Sequence, residues 1–205
     1  MGALCFSNDS SFYSNCITNI IKKTMSYFIT KEHLRLQRSD TRNFSAVINE
    51  SRQARVSDSA RDGVTVFLSH KHDEVEVLEN VISLLKCCGV NVYVDWMDEG
   101  MPKTTSGLTA VKLKQKITAC KKFVFLGTEG AIASKWCNWE LGLGDAKKYP
   151  ANIAIIPIVD ASSNYSGSEY LQIYPVIKML YKSVKGDYVV EWGGKSEPLA
   201  DWLKR

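Results

Sequence analysis

From Val64 onward the chain alternates short apolar runs with stretches whose apolar residues return every three or four positions. Val64-Thr65-Val66-Phe67-Leu68, Val90-Asn91-Val92-Tyr93-Val94, Lys122-Phe123-Val124-Phe125-Leu126 and Ile153-Ala154-Ile155-Ile156-Pro157-Ile158 are rich in β-branched and aromatic side chains. Runs of this length and composition read as strands buried on both faces. Tyr188-Val189-Val190-Glu191-Trp192 supplies a candidate fifth strand. Between the first two, Val75, Val77, Leu78, Val81, Ile82, Leu84 and Leu85 keep helical spacing, and Gly89 stands where a helix C-terminal cap belongs. Asp73, Glu74 and Glu76 are expected in the first turn of that helix, where acids complement its dipole. Ser106 precedes a second helical pattern through Leu108, Val111, Ile117 and Cys120. Strand alternating with helix predicts an α/β domain, a central parallel five-stranded sheet with right-handed crossovers and helices on both faces.

In such sheets ligands lie beyond the carboxyl ends of the strands. Ser69-His70, Asp95-Trp96 and Gly127-Thr128 fall at those ends, so one cleft can collect them. Shortly after the third end comes Ser134-Lys135-Trp136-Cys137-Asn138-Trp139-Glu140-Leu141-Gly142. A helix opening near Lys135 sets Trp136, Trp139 and Glu140 along one side, since positions three and four apart are neighbours. Aromatics stack on flat rings, and a carboxylate faces a developing positive charge. Taken alone, the same residues also read as two core tryptophans and one solvated helix acid.

The chain ahead of this alternation is less patterned. Residues 1–24 are rich in Ser and Asn, and read as an extension. Residues 25–63 read as a helical segment and linker, with Leu34, Val47 and Ile48 as possible buried positions and His33 as solvated surface. The domain proper is expected over 64–205. A net charge of +4 over 205 residues, with no run of five or more like charges, gives no argument for nucleic acid as a partner. No stretch approaches 18 consecutive apolar residues, so no membrane span is expected. Six cysteines without a C-x-x-C pair read as reduced thiols of a cytoplasmic protein. The opening lacks a signal-peptide pattern, and Phe6 stands where a myristoylation motif needs Ser or Thr. No metal site is expected from the spacing.

Three motifs in order carry a family resemblance. Phe67-Leu68-Ser69-His70 with its acidic helix start, the Tyr93-Val94-Asp95 strand end and its loop, and Ser134-Lys135-Trp136-Cys137-Asn138-Trp139-Glu140-Leu141 together resemble a Toll/interleukin-1 receptor (TIR) domain, more narrowly the stand-alone bacterial kind. Residues 149–158, Gly167-Ser168-Glu169-Tyr170-Leu171, Glu191-Trp192 and an opening of the Met25-Ser26-Tyr27-Phe28 type extend it. The resemblance implies a flavodoxin-like fold and cleavage of NAD+ at the nicotinamide–ribose bond, giving ADP-ribose or a cyclic ADP-ribose isomer. In relatives this serves antiphage signalling of the Thoeris type, with a downstream effector sensing the product. It carries the catalytic glutamate to Glu140 and a pocket-forming loop to residues 96–107, while Phe67, Ser69, His70, Asp95, Trp96, Lys103, Trp136 and Trp139 are the candidate substrate-binding residues at the strand ends and on the helix. It also implies self-association through the loop after the second strand, residues 96–107. NAD+ is then substrate, and no separate cofactor is expected.

The chemistry is consistent with one carboxylate. Nicotinamide leaves a cationic pyridinium as a neutral molecule and needs no proton, whereas glycosidases need two carboxylates because their leaving group does. A single acid that steadies an oxocarbenium-like ribosyl centre suffices. Each supporting residue keeps an ordinary reading too: Ser69 as a strand-end cap, Lys103 as a solvated loop cation, Asp95 as a partner for a backbone amide. Cys137 reads as a small packed thiol more readily than as a nucleophile. Glu140 is expected as a partly exposed acid whose replacement by Gln hardly changes folding. Two other readings stay open, a non-catalytic TIR scaffold acting by homotypic assembly and a nucleoside deoxyribosyltransferase-like enzyme.

Overall fold

The computed structural model describes residues 26–40, 63–102, 104, 106–160, 165, 167–180 and 187–205. The expectations for residues 1–24, for Val47 and Ile48, for Cys5 and Cys16, for most of the linker and for Lys103 fall outside them.

The four expected strands form at the expected places, as β3 (Thr65–Ser69), β4 (Asn91–Tyr93), β5 (Lys122–Gly127) and β6 (Ile153–Val159). With β7 (Val176–Leu180) they make five parallel neighbours in the order β4-β3-β5-β6-β7. The fifth parallel strand is therefore β7 and not residues 188–192. Those residues form β8 (Tyr188–Trp192), antiparallel to β7, and β9 (Lys195–Pro198) continues the antiparallel edge. The reason is packing. Val176-Ile177-Lys178-Met179-Leu180 buries one residue fully and leaves the others intermediate, so its sequence lacks the continuous apolar run of an inner strand.

The segment ahead of β3 also corrects the sequence reading. It is not helical throughout: β1 (Ser26–Tyr27) pairs antiparallel with β7, and β2 (Ile29–Thr30) pairs parallel with β6. Helix α1 (Lys31–Asp40) follows, and Ile29 and Leu34 are buried in the core. His33 is half-buried against the sheet edge, its Nε2 3.2 Å from the Tyr188 hydroxyl. Burial lowers its pKa.

Helices α2 (Val75–Cys87), α3 (Gly107–Ala119), α4 (Glu129–Ala133), α5 (Lys135–Lys148) and α6 (Leu199–Lys204) complete the described architecture. Helix α2 begins two residues later than its acids predicted, so Asp73 and Glu74 precede it and Glu76 alone lies in its first turn. Gly89 takes φ +80 just beyond its end, a conformation that suits a residue without Cβ. Ser106 caps α3 in a reciprocal box with Thr109. The buried side of α3 is Thr109, Leu113 and Ile117, which leaves Leu108 and Val111 exposed.

Two hydrophobic layers cover the two sheet faces, sorted by the two-residue period of the strands. Val66, Leu68, Val124, Leu126, Ala154 and Ile156 face α2, with Trp202 and Leu203 of α6 in the same layer. Phe67, Phe123, Phe125, Ile153 and Ile155 face the layer holding Leu113 of α3 with Cys137 and Leu141 of α5. Helix α5 lies close to the sheet because Gly144 has no side chain there: a Cβ would sit 2.8 Å from the Phe123 ring. That approach holds the carboxylate of Glu140 one turn away against the strand ends.

Candidate active site

The local sequence around Glu140 fixes where its side chain goes. Ser134 ends α4 and caps α5, its Oγ accepting the Cys137 N–H at 3.3 Å. Asn138 Nδ2 donates to Ile132 O at 2.8 Å and to Ser134 O at 2.9 Å, clamping the joint between the two helices. Cys137 Sγ donates to the His70 carbonyl at 3.2 Å and ties α5 to the turn after β3. Burial pushes the Cys137 thiol up to about 11, so it is a packed thiol without nucleophilic character. With α5 pinned in this way, Glu140 points inward over the end of β3.

Glu140 is 3% exposed, which overturns the expectation of a partly solvated acid. Ser69, buried at the last position of β3, donates its Oγ–H to Glu140 Oε2 at 2.6 Å. Desolvation pushes the Glu140 carboxyl up to about 8, the Asp95 charge adds to the rise, and the Ser69 hydrogen bond and His72 act against it. A buried acid with a strongly raised pKa at the strand ends is a functional-site signature with a physical cause.

The tryptophans reverse the ordinary reading of the motif. Trp136 and Trp139 stack on each other, with centroids 5.1 Å apart and planes 25° apart, and Trp139 is 38% exposed. The aromatic pair thus faces partly outward while the acid is buried.

Asp95 is buried in the turn after β4 and faces two histidines. His72 Nε2 lies 2.9 Å from its Oδ2, and His70 Nε2 lies 3.8 Å from its Oδ1. Burial raises the Asp95 pKa, but the His72 hydrogen bond and the two imidazoles outweigh it, and the carboxyl titrates below its usual range. The Asp95 hydrogen bond raises the pKa of His72. His70 behaves oppositely: its pKa is lowered, chiefly by burial. His72 was not singled out from the sequence. The available signal was the His-x-His pair in Ser69-His70-Lys71-His72, at a strand end facing the Asp95 strand end.

The structure brings Ser69, His70, His72, Asp95 and Glu140 into one cluster, with Glu140 charge acting on His72. Phe67 lies in the core, stacked between Tyr93 and Phe123 with centroids 5.5 Å from each, and supports the strand that carries Ser69. Trp96 is 42% exposed on the turn beside Asp95. A cavity of about 200 Å³ opens at the neighbouring ends of β5 and β6, lined among others by Lys31, Gly127, Thr128, Asp160 and Tyr165. Ser69, Asp95 and Glu140 do not line it.

Comparison with known proteins adds to this geometry. A family model described as TIR domain matches residues 66–179. A Bacillus cereus (strain MSX-D12) protein named "Probable 3' cyclic ADP-D-ribose synthase ThsB'" is 31% identical over 120 residues, which are 55% of this chain and 59% of that protein. A Cytobacillus dafuensis protein, provisionally named cyclic ADP-D-ribose synthase TIR2, is 29% identical over 79 residues, 37% of this chain and 21% of that protein. The chain thus spans less than two thirds of the length of either relative.

Proposed function

The chain belongs to the TIR domain family, and from that premise we propose that it cleaves NAD+ between nicotinamide and ribose and closes the remaining ADP-ribosyl group into a cyclic ADP-ribose. The observation that carries the proposal is Glu140, a carboxyl 3% exposed and hydrogen-bonded by Ser69 at the carboxyl end of the sheet. Two relatives named as cyclic ADP-D-ribose synthases support the same reaction class.

The chemistry follows from the charge of the groups. The bond between the ribose anomeric carbon and the pyridinium nitrogen breaks, and its electron pair leaves with nicotinamide, which departs neutral. Positive charge then builds on the ribosyl centre. A buried carboxylate is costly in an empty site and well matched to a cation within one, because the low dielectric strengthens that attraction. Binding of a cationic substrate therefore favours the ionised form of Glu140 that burial disfavours. A nucleophile of the same molecule captures the anomeric carbon, and if it is a hydroxyl it gives up a proton. A carboxylate with proton affinity near neutrality is suited to accept that proton. Capture by water instead gives ADP-ribose, so excluding water favours the cyclic product. Trp136 and Trp139 offer stacking surface for a flat ring beside this centre.

The direct test is incubation of the full chain with NAD+ and mass spectrometry of the products. Nicotinamide with a product one water lighter than ADP-ribose supports cyclisation, nicotinamide with ADP-ribose reduces the proposal to hydrolysis, and unchanged NAD+ refutes it.

Ser69 gives a second, finer test. Because the free-site pKa of Glu140 is about 8, kcat/KM for nicotinamide release should rise with pH through a midpoint near that value. Ser69→Ala removes a hydrogen bond to a charged group, worth about 1.5–3 kcal/mol. It should lower kcat/KM on the order of ten- to a hundredfold and move the midpoint upward. A pH profile with the parent's midpoint would show that Ser69 does not tune the acid.

Self-association belongs to the same reading. Trp96, Leu108 and Val111 are 42%, 58% and 53% exposed on the turn after β4 and on α3, which leaves these apolar side chains available to a second copy. Specific activity is expected to fall on dilution as the assembly dissociates. Constant specific activity across a wide dilution series of a monomer rules this out. The setting we propose is cytoplasmic antiphage signalling, with an effector that senses the cyclic product. Among the described residues no helix is long and apolar enough to cross a membrane.

A further inference from the structure

We propose that His70, His72 and Asp95 form a binding site for a divalent first-row transition ion of the zinc, cobalt and nickel class. Their ligand atoms all lie within 4.8 Å of one another. The strongest observation is an unpaired atom. His70 is 5% exposed, and its buried Nε2 has no hydrogen-bond partner among the described residues. Its Nδ1 lies 3.1 Å from the Leu68 carbonyl, an acceptor, so the ring proton sits on Nδ1 and donates there. Nε2 then carries a lone pair, and that lone pair faces Asp95 Oδ1 at 3.8 Å. Two acceptors face each other across a gap that calls for a cation.

A metal ion needs the arrangement present: neutral imidazole with its other nitrogen held by a backbone carbonyl, which fixes tautomer and ring orientation. His72 supplies the second imidazole, its Nε2 2.9 Å from Asp95 Oδ2. Its side chain is 57% exposed, so it provides both an entry path and the freedom to adjust. Metal–nitrogen bonds of about 2.0–2.1 Å place tetrahedral ligands roughly 3.3 Å apart, and a shift of His72 on the order of 1 Å closes the set.

The donor set chooses the ion. Two imidazoles and one carboxylate suit zinc, cobalt, nickel or copper, whereas magnesium and calcium favour oxygen ligands. Three protein ligands leave a position open for water or for an oxygen of a bound molecule. The proposal does not rest on NAD+ cleavage, and its test uses no nucleotide.

Full-length protein treated with chelator and dialysed is titrated with Co2+, followed by visible absorption, and with Zn2+, followed by calorimetry. The expected result is saturable binding of one ion per chain, a cobalt spectrum without the intense thiolate-to-metal band, and no competition from Mg2+. His72→Ala, a change at an exposed side chain, should fold as the parent does by circular dichroism and weaken binding about tenfold or more. Asp95→Asn should do the same and serves as the second variant. Absence of saturable binding, binding unchanged in His72→Ala and Asp95→Asn, or a thiolate band that assigns the ion to cysteine would each overturn the site.

Discussion

Glu140→Gln is expected to abolish measurable nicotinamide release while making the protein more resistant to heat at alkaline pH. The first half follows from charge. Gln keeps the shape and can still accept the Ser69 hydroxyl, but it cannot steady a ribosyl cation. Loss of one preorganised electrostatic group costs on the order of a hundred- to a thousandfold in turnover. The second half follows from burial, and it reverses the sequence-based expectation that the variant melts like the parent. Folding raises the Glu140 pKa from its ordinary 4.5 to about 8. Between those values the unfolded chain has released its proton and the folded chain still holds it. Folded stability is therefore undiminished below about pH 4.5 and declines as pH rises toward 8, where the buried charge must form. Gln has no such charge, so its melting-temperature advantage should grow across that window and then level off. Melting scans at several pH values, paired with a nicotinamide assay, read both halves. Wild-type cleavage by the variant removes Glu140 from catalysis, and identical melting at every pH shows that its carboxyl is not desolvated.

Trp202→Ala should produce the largest loss of stability while sparing the chemistry. Trp202 is 1% exposed and packs in the layer with Val66, Val124 and Ala154. Removing a buried Trp side chain costs about 3–5 kcal/mol, a large part of a domain's total of about 5–15 kcal/mol. For a chain of this size the melting temperature should fall on the order of 10 °C. The ring also lies under Lys122, whose Nζ sits 4.4 Å from its centroid and donates to Asn152 Oδ1 at 2.7 Å. Burial lowers the Lys122 ammonium to about 8, so this cation depends on the groups around it. Because Trp202 covers the sheet face opposite Cys137 and Leu141, NAD+ cleavage at low temperature should survive. A small change in melting temperature would mean that α6 contributes little to the core. Lost activity in folded protein would mean that the two faces are coupled.

Much of the fold was legible before any coordinates. The runs at β3, β5 and β6 are apolar through their middles because both of their faces are covered, and that pattern survives in one dimension. Ser106 preceded its helical pattern in the sequence and caps that helix, by chemistry that needs only a few neighbouring residues. The edge of the sheet was not legible. Strands β7, β8 and β9 pair antiparallel across it, and β1 and β2 are two residues each. Such elements exist because a partner is present, and their own composition does not demand them.

At the site, the sequence by itself determined which chemistry-bearing residues stand at the strand ends: Ser69, His70, Asp95 and, after β5, Glu140. Helical spacing also set Trp136 and Trp139 three positions apart, near enough to stack. Tertiary structure decided which of them meets water. Glu140 is buried and Trp139 exposed because Asn138 and Cys137 pin α5 in one rotation, through contacts to residues 132, 134 and 70. Only that packing raises the proton affinity of Glu140, and only the parallel pairing of β3 with β4 sets Asp95 opposite the histidines after β3. Periodicity reports which side chains a helix or strand can turn inward. Desolvation and the pairing of buried charges arise between elements far apart in the chain, where no local pattern records them.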